Sequence, residues 1–197
     1  MKPKSWIMLL AALLVAGGLW QVGGGTYIYA KAWLSQVLLE KAWAGRLAGS
    51  EAADAKPWLW ADTSPVARVS VPALGADHIV LADASARTLA FGPAHLAGTA
   101  LPGERGHSVI TGHRDTHFTF LKDLKAGDVI DLQQPDGGNM RFRVTGTEIF
   151  DSRTARFSPV IGRRVMTLVT CYPFNSARTG QPHRYAVFTE ALVGIES

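Results

Sequence analysis

Residues 5–30 read SWIMLLAALLVAGGLWQVGGGTYIYA, twenty-six positions without a charged side chain, and no other stretch limits the fold so tightly. As a helix the run would be roughly 39 Å long against the roughly 30 Å of hydrocarbon in a bilayer, so it is predicted to span as a transmembrane helix. Trp6 at one end and Trp20, Tyr27 and Tyr29 toward the other suit the headgroup levels. Gly17, Gly18 and the glycines at 23–25 are tolerated better in membrane helices than in soluble ones. A cleaved secretory leader shares the basic start, Lys2 and Lys4, and the apolar core. Against that, the helical pattern continues over 30–48, with Trp33, Val37, Leu38, Ala44, Leu47 and Ala48 on or near one stripe, which favours an uncleaved signal anchor. Lys31, Lys41 and Arg46 balance the leading lysines, so flanking charge alone leaves the orientation open. A short N-terminal tail and a large C-terminal domain favour the amino end in the cytoplasm.

Residues 49–65 (GSEAADAKPWLWADTSP) are polar, alanine-rich and broken by prolines, and read as a linker, with Trp58 and Trp60 free to dock on the domain or on lipid headgroups. From Val66 the texture becomes short β-like segments separated by Gly, Pro and Asp. Strands are predicted at 67–71, 78–81, 108–111, 129–132, 140–150, 165–170 and 184–192, and one short helix at 118–124. So many short strands in so few residues suggest a closed barrel rather than an open sheet. Three parts follow: 1–30 as the anchor, 31–65 as a membrane-proximal helix and linker, and 66–197 as the barrel domain.

Lysine and arginine number 20 against 16 acidic residues, a net charge of +4, and Arg163-Arg164 is the only adjacent basic pair. Nothing here tracks a phosphate backbone, so nucleic acid is not an expected partner. The aspartates are dispersed without a calcium-loop pattern and the six histidines show no ligand spacing, so neither metal nor cofactor is expected. A single cysteine excludes an internal disulfide. Outside the cytoplasm an unpaired thiol is a liability unless it is used.

That cysteine, Cys171, closes the run RRVMTLVTCYPF. Val165 to Val169 are β-branched or apolar and uncharged, as in a strand covered on both faces. Pro173 disfavours helix at Tyr172, so the strand is expected to end close to the sulfur, where a thiol can meet a substrate. A thiolate that attacks a carbonyl needs a group to manage its proton and a donor for the oxyanion. His113 follows the strand in GHSVITGHRD and Arg184 opens the strand HRYAVFTEAL, 58 residues before and 13 after Cys171. Other roles compete: Cys171 as a packed hydrophobe, His107 or His117 in place of His113, and Arg184 as an edge ion pair.

Together ITGHRDTHF, TLVTCYPF and HRYAVF resemble the sortase family of membrane-anchored cysteine transpeptidases, and FGPAHLAGTALPGERGHSVITGHRDTHFTFLKDLKAGD is similar to class D and related proteobacterial members. The resemblance covers about residues 66–192. It implies an all-β fold, a closed eight-stranded barrel with one or two short helices, behind an N-terminal transmembrane helix. It implies Cys171 as nucleophile, His113 as general acid/base and Arg184 as the oxyanion or substrate-orienting residue. Thr170 would line the substrate groove with Tyr172 beside it, and Thr167 would support the strand. Asp115, close to His113, reads as a structural or surface residue. The implied partners are a secreted protein with a C-terminal sorting motif, an amine acceptor and the membrane, with the catalytic domain on the extracytoplasmic side. Tyr172-Pro173-Phe174 and the loop at 175–183 depart from the Gram-positive members, so substrate preference does not transfer. Two alternatives stay open: a peptidase using water as acceptor, and a non-catalytic peptide-binding barrel.

Overall fold

Apolar and polar residues alternate along residues 67–71, and the structure turns that period of two into an inward face of Ala67, Val69 and Val71. The computed structural model describes residues 3–51, 55–157, 160–176 and 180–192; side chains at 3–5, 7, 9, 12 and 19–29 also lie outside the described residues. The strands are β1 (Pro65–Val71), β2 (Ala76–Leu81), β3 (Ala94–His95), β4 (Gly106–Thr111), β5 (Val129–Gln133), β6 (Asn139–Asp151), β7 (Arg164–Cys171) and β8 (His183–Ala191). They close into a barrel in the order β1-β2-β3-β4-β7-β8-β6-β5. Neighbours run antiparallel except β2 with β3 and β4 with β7. The interior holds Ile110, Phe118, Leu121, Ile130, Leu132, Phe142, Met166, Leu168 and Val187, all fully buried. Met166 and Leu168 of β7 enter this core, while Val169 joins Val109 and Ala186 in a second cluster against Phe150, Phe157 and Phe188. The strand is therefore covered on both faces, as its composition predicts.

Seven of these strands match predicted segments to within a few residues. The eighth, β3, spans two residues, too few to show any period. It is fixed only by its neighbours, Leu81 on one side and Thr111 and Ile110 on the other. The predicted helix at 118–124 is a 3₁₀ turn over Thr119–Asp123. A further single turn, the helix Ala86–Leu89, is capped by Ser85, whose hydroxyl accepts from the Thr88 amide.

The first helix, α1, runs unbroken over Pro3–Leu47. Up to Val37 it forms a compact unit of its own, and from Leu38 it belongs to the barrel unit. Trp20, Tyr27, Tyr29 and the glycines at 23–25 fall outside the described side chains. Among the described residues no helix is long and apolar enough to cross a membrane. The expected stripe is corrected at its C-terminal end. Leu47 and Ala44 face solvent, and the buried residues are Leu39, Ala42 and Trp43, spaced i, i+3 and i+4. Leu39 and Trp43 pack on Ile79, Leu81 and Ala94, and Trp43 Nε1 donates to Gln133 Oε1 at 3.2 Å. Gly49, at φ +91°, ends the helix in the left-handed conformation that glycine adopts without penalty.

The linker reading of 49–65 also needs correction. Ala55, Pro57, Ala61, Thr63 and Ser64 are buried, Trp58 meets Phe91 edge-on with ring centroids 4.8 Å apart, and Thr63 Oγ1 donates to the Ala82 carbonyl. Alanine and proline, read from composition as linker residues, are here buried, with Ala55 and Pro57 lining a cavity beside Leu38, Ala42 and Gly45 of α1. Leu59 and Trp60 remain exposed. Because Trp43 fills its site almost completely, Trp43→Ala is expected to lower stability by about 3–5 kcal/mol. The check is a shift of the urea midpoint of the full chain at unchanged slope.

Candidate active site

Parallel strands β4 and β7 pair from Gly106 opposite Arg164 to Thr111 opposite Val169. Beyond this ladder the Gly112 amide donates to the Val169 carbonyl at 3.1 Å, and Thr170 Oγ1 donates to the Gly112 carbonyl at 2.7 Å. The turn carrying His113 is thereby tied to the strand carrying Cys171. Gly112 has to be glycine, since a Cβ there would stand 2.9 Å from the Phe118 ring. Phe118 in turn donates its amide to the His113 carbonyl at 2.9 Å. On the other side β8 pairs antiparallel with β7, and its register sets Arg184 directly across from Cys171. The Tyr172 amide then bonds the His183 carbonyl at 3.0 Å. Cys171 and His113 are both exposed at this end of the barrel.

Arg184 is half-buried, and its Nη1 donates to the carbonyls of Gln181 at 2.6 Å and His183 at 3.0 Å. Among the described residues its Nε and Nη2 have no partner, so donors remain for a developing oxyanion.

Arg114, next to His113, is only 8 % exposed. Its Nη1 donates to the Pro173 carbonyl at 2.6 Å and its Nη2 to the Ser176 carbonyl at 2.7 Å. The carboxylate of Asp115 accepts from Nε at 2.8 Å and from Nη2 at 2.9 Å. These bonds to Arg114 hold the Asp115 carboxyl below the usual carboxylate range. Asp115 thus serves Arg114, and no hydrogen bond joins it to the His113 ring among the described residues.

A family model for the sortase domain matches residues 69–192, which includes every strand from β2 to β8 and all three predicted catalytic residues. The chain belongs to the sortase family. It is 28 % identical over 121 residues to Sortase D of Bacillus subtilis, a match that spans 61 % of this chain and 60 % of that protein's length. Among solved structures it resembles sortase C-1 of Actinomyces oris at 31 % identity and TM-score 0.55, over 66 % of this chain and 76 % of that one. Sortase A of Corynebacterium diphtheriae superimposes with TM-score 0.61 at 24 % identity, over 83 % and 86 % of the two chains, a likeness of fold.

The histidines left open by the sequence of this sortase are separated by its fold. His107 lies at the opposite end of β4, with Nε2 2.8 Å from Thr167 Oγ1 and its ring edge-on to Phe157. His117 is half-buried, 5.8 Å from the His78 ring, which stacks on Phe120. Thr167 and Thr170 are both fully buried: Thr167 meets His107, and Thr170 holds the Gly112 turn. Tyr172 is half-buried and stacks on Tyr185 at 6.4 Å, and the peptide that joins it to Pro173 is cis. A cavity of about 500 Å³ lies against the outward face of β7 near Val165, lined by Phe150, Phe157 and Phe188 among others. Among the described residues no three His, Cys, Asp or Glu side chains converge as metal ligands. Arg114 is the residue that pattern reading misses. Its only trace is the Arg-Asp dipeptide after His113, which carries no periodic signal.

Burial first, and then the fields of His78 and His113, push the His117 imidazole down to about 4. His78 is lowered as well, chiefly by burial. An unfolded histidine titrates near 6.5, so between about pH 6.5 and about pH 4 the unfolded chain binds protons that the folded chain refuses. Stability is therefore expected to fall as pH drops through that window. His117→Gln should flatten the fall, as read from unfolding midpoints at several pH values.

Proposed function

We propose that this sortase is a membrane-anchored cysteine transpeptidase that cuts a secreted protein at a C-terminal sorting motif and transfers the acyl part to an amine. The observation that carries this reading is the convergence at one barrel mouth. Cys171 is registered across from Arg184, and the His113 turn is bonded to the residue preceding Cys171. The exposure of Cys171 speaks against a packed cysteine in a purely binding barrel.

In the proposed reaction the Cys171 thiol proton passes to His113 and the sulfur attacks the scissile carbonyl carbon. Arg184 faces the oxygen that takes up the charge, through its uncommitted Nε and Nη2. The C–N bond breaks as His113 returns the proton to the departing amine, leaving a thioester on Cys171. An incoming amine then attacks that thioester, gives its proton to the His113–Cys171 pair and expels the thiolate. The apolar outer face of β7, with Val169 against Phe150, Phe157 and Phe188, offers a floor along which an extended peptide can lie.

The membrane reading rests on the uncharged run at 5–30 and on Trp6, Met8, Leu10, Leu13, Leu14 and Val15, large apolar side chains exposed along α1. An anchor there would place the barrel on the extracytoplasmic side and hold enzyme and membrane-tethered substrate near one surface, raising their effective concentration. Removal of residues 3–30 is expected to move the chain from the membrane to the soluble fraction; unchanged fractionation would reject the anchor.

Cys171→Ala is expected to abolish turnover of a peptide that the wild-type chain cleaves, and His113→Ala to reduce it by about 10²–10⁴-fold. Arg184→Lys is expected to lower kcat more than KM, since a lysine cannot reproduce a planar fork of donors. Product that requires an added amine, followed by mass spectrometry, supports transpeptidation. Cleavage at the same rate with water alone would make the enzyme a peptidase.

A further inference from the structure

We infer that Arg114 is a positioning residue: its guanidinium bolts the His113 turn to the loop after Cys171 and so sets the imidazole against the thiol. The inference rests on reading His113 and Cys171 as a proton-exchanging pair. Its ground is a gap in the backbone bonding. The β4–β7 ladder ends at Thr111 and Val169, and the last ties beyond it are those of Gly112 to Val169 and Thr170. From there both chains leave the barrel, one into the turn at 113–118 and the other through Tyr172 and Pro173. Past Gly112 the hydrogen bonds joining these two segments, among the described residues, are those from Arg114 to the Pro173 and Ser176 carbonyls.

The chemistry of the clamp suits rigidity rather than reaction. A guanidinium has five N–H donors in a fixed plane, and here four bonds engage Nε, Nη1 and Nη2. With so few donors left and 8 % of its surface exposed, Arg114 has little to offer an oxyanion. A buried cation survives only when it is paired and bonded, and Asp115 supplies the countercharge at 2.8 Å. The Asp115 side chain is itself 69 % exposed, so the ion pair closes the clamp from the solvent side. The fork donates to two backbone carbonyls of one loop at once, a geometry that one ammonium does not reproduce. Movement of Arg114 would therefore free the turn that carries His113 from the segment two to five positions after Cys171.

The experiment follows the alkylation of Cys171 by iodoacetamide across pH 5 to 9, by mass spectrometry, in the full chain held in a neutral detergent. Wild type is compared with His113→Ala, Arg114→Ala, Arg114→Lys and the His113→Ala/Arg114→Ala pair. His113→Ala is expected to move the pH profile by about one unit, the size of a close charge effect on a thiol. Arg114→Ala should move it in the same direction, and the double variant no further, because Arg114 acts through His113. Guanidinium ion added at millimolar concentration should restore Arg114→Ala but not the pair, and Arg114→Lys should stay displaced. A wild-type profile in Arg114→Ala, or a shift that adds to that of His113→Ala, overturns the proposal. A His113→Ala profile identical to wild type sinks the proton-pair reading itself, and the positioning role with it. If Arg114→Ala does not fold, Arg114→Lys against wild type makes the same comparison. Loss of fold in both variants would make the clamp a general stability element and overturn the positioning role.

Discussion

Parallel pairing of β4 with β7 is the constraint from which the geometry of the barrel mouth descends. Two parallel neighbours run in the same direction, so their C-terminal ends emerge at the same mouth of the barrel, and the residues that follow them must share that space. An antiparallel third strand, β8, starts where β7 stops, which delivers Arg184 to the same place. Sequence distance between the three residues is thereby irrelevant. The Thr170 hydroxyl and the glycine at 112 convert this coincidence of strand ends into a fixed contact. Burial of β7 on both faces keeps the strand from sliding, since a slip of one residue would carry Met166 and Leu168 out of the core and bring Thr167 in.

The mouth contains two arginines with opposite degrees of commitment. Arg114 is buried and bonded through all three of its nitrogens, while Arg184 is half-buried and gives one nitrogen to its own loop. A cation can hold a structure or face a changing charge, and satisfying it fully for the first purpose leaves little for the second. The division between the two residues follows from their neighbours rather than from their chemistry, which is identical.

Most of this architecture was legible in the order of residues. Short β-rich runs punctuated by glycine, proline and aspartate located seven strands, and the strand-end positions of His113, Cys171 and Arg184 followed from them. What escaped was whatever lacked a period. The two residues Ala94 and His95 become a strand only because Leu81 and Ile110 lie on either side. Residues 55–64 looked like a tether because alanine and proline carry no helical or strand pattern, yet Ala55, Pro57 and Ala61 are buried. The buried face of the C-terminal end of α1 was misplaced because Leu47 and Trp43 are equally apolar on paper, and only the barrel surface chooses between them. Arg114 stayed hidden for a related reason: its acceptors are backbone carbonyls, which every residue possesses.

The chain has a single sulfhydryl, and it stands in solvent. Oxidants therefore find no second cysteine in the same molecule with which to lock it into a misfolded, cross-linked form. Damage takes the form of a sulfenic acid, or of a bond to a foreign thiol, and either one occupies the atom proposed as the nucleophile. Refolding needs no pairing of half-cystines. A mild reductant is then enough to return such a molecule to service.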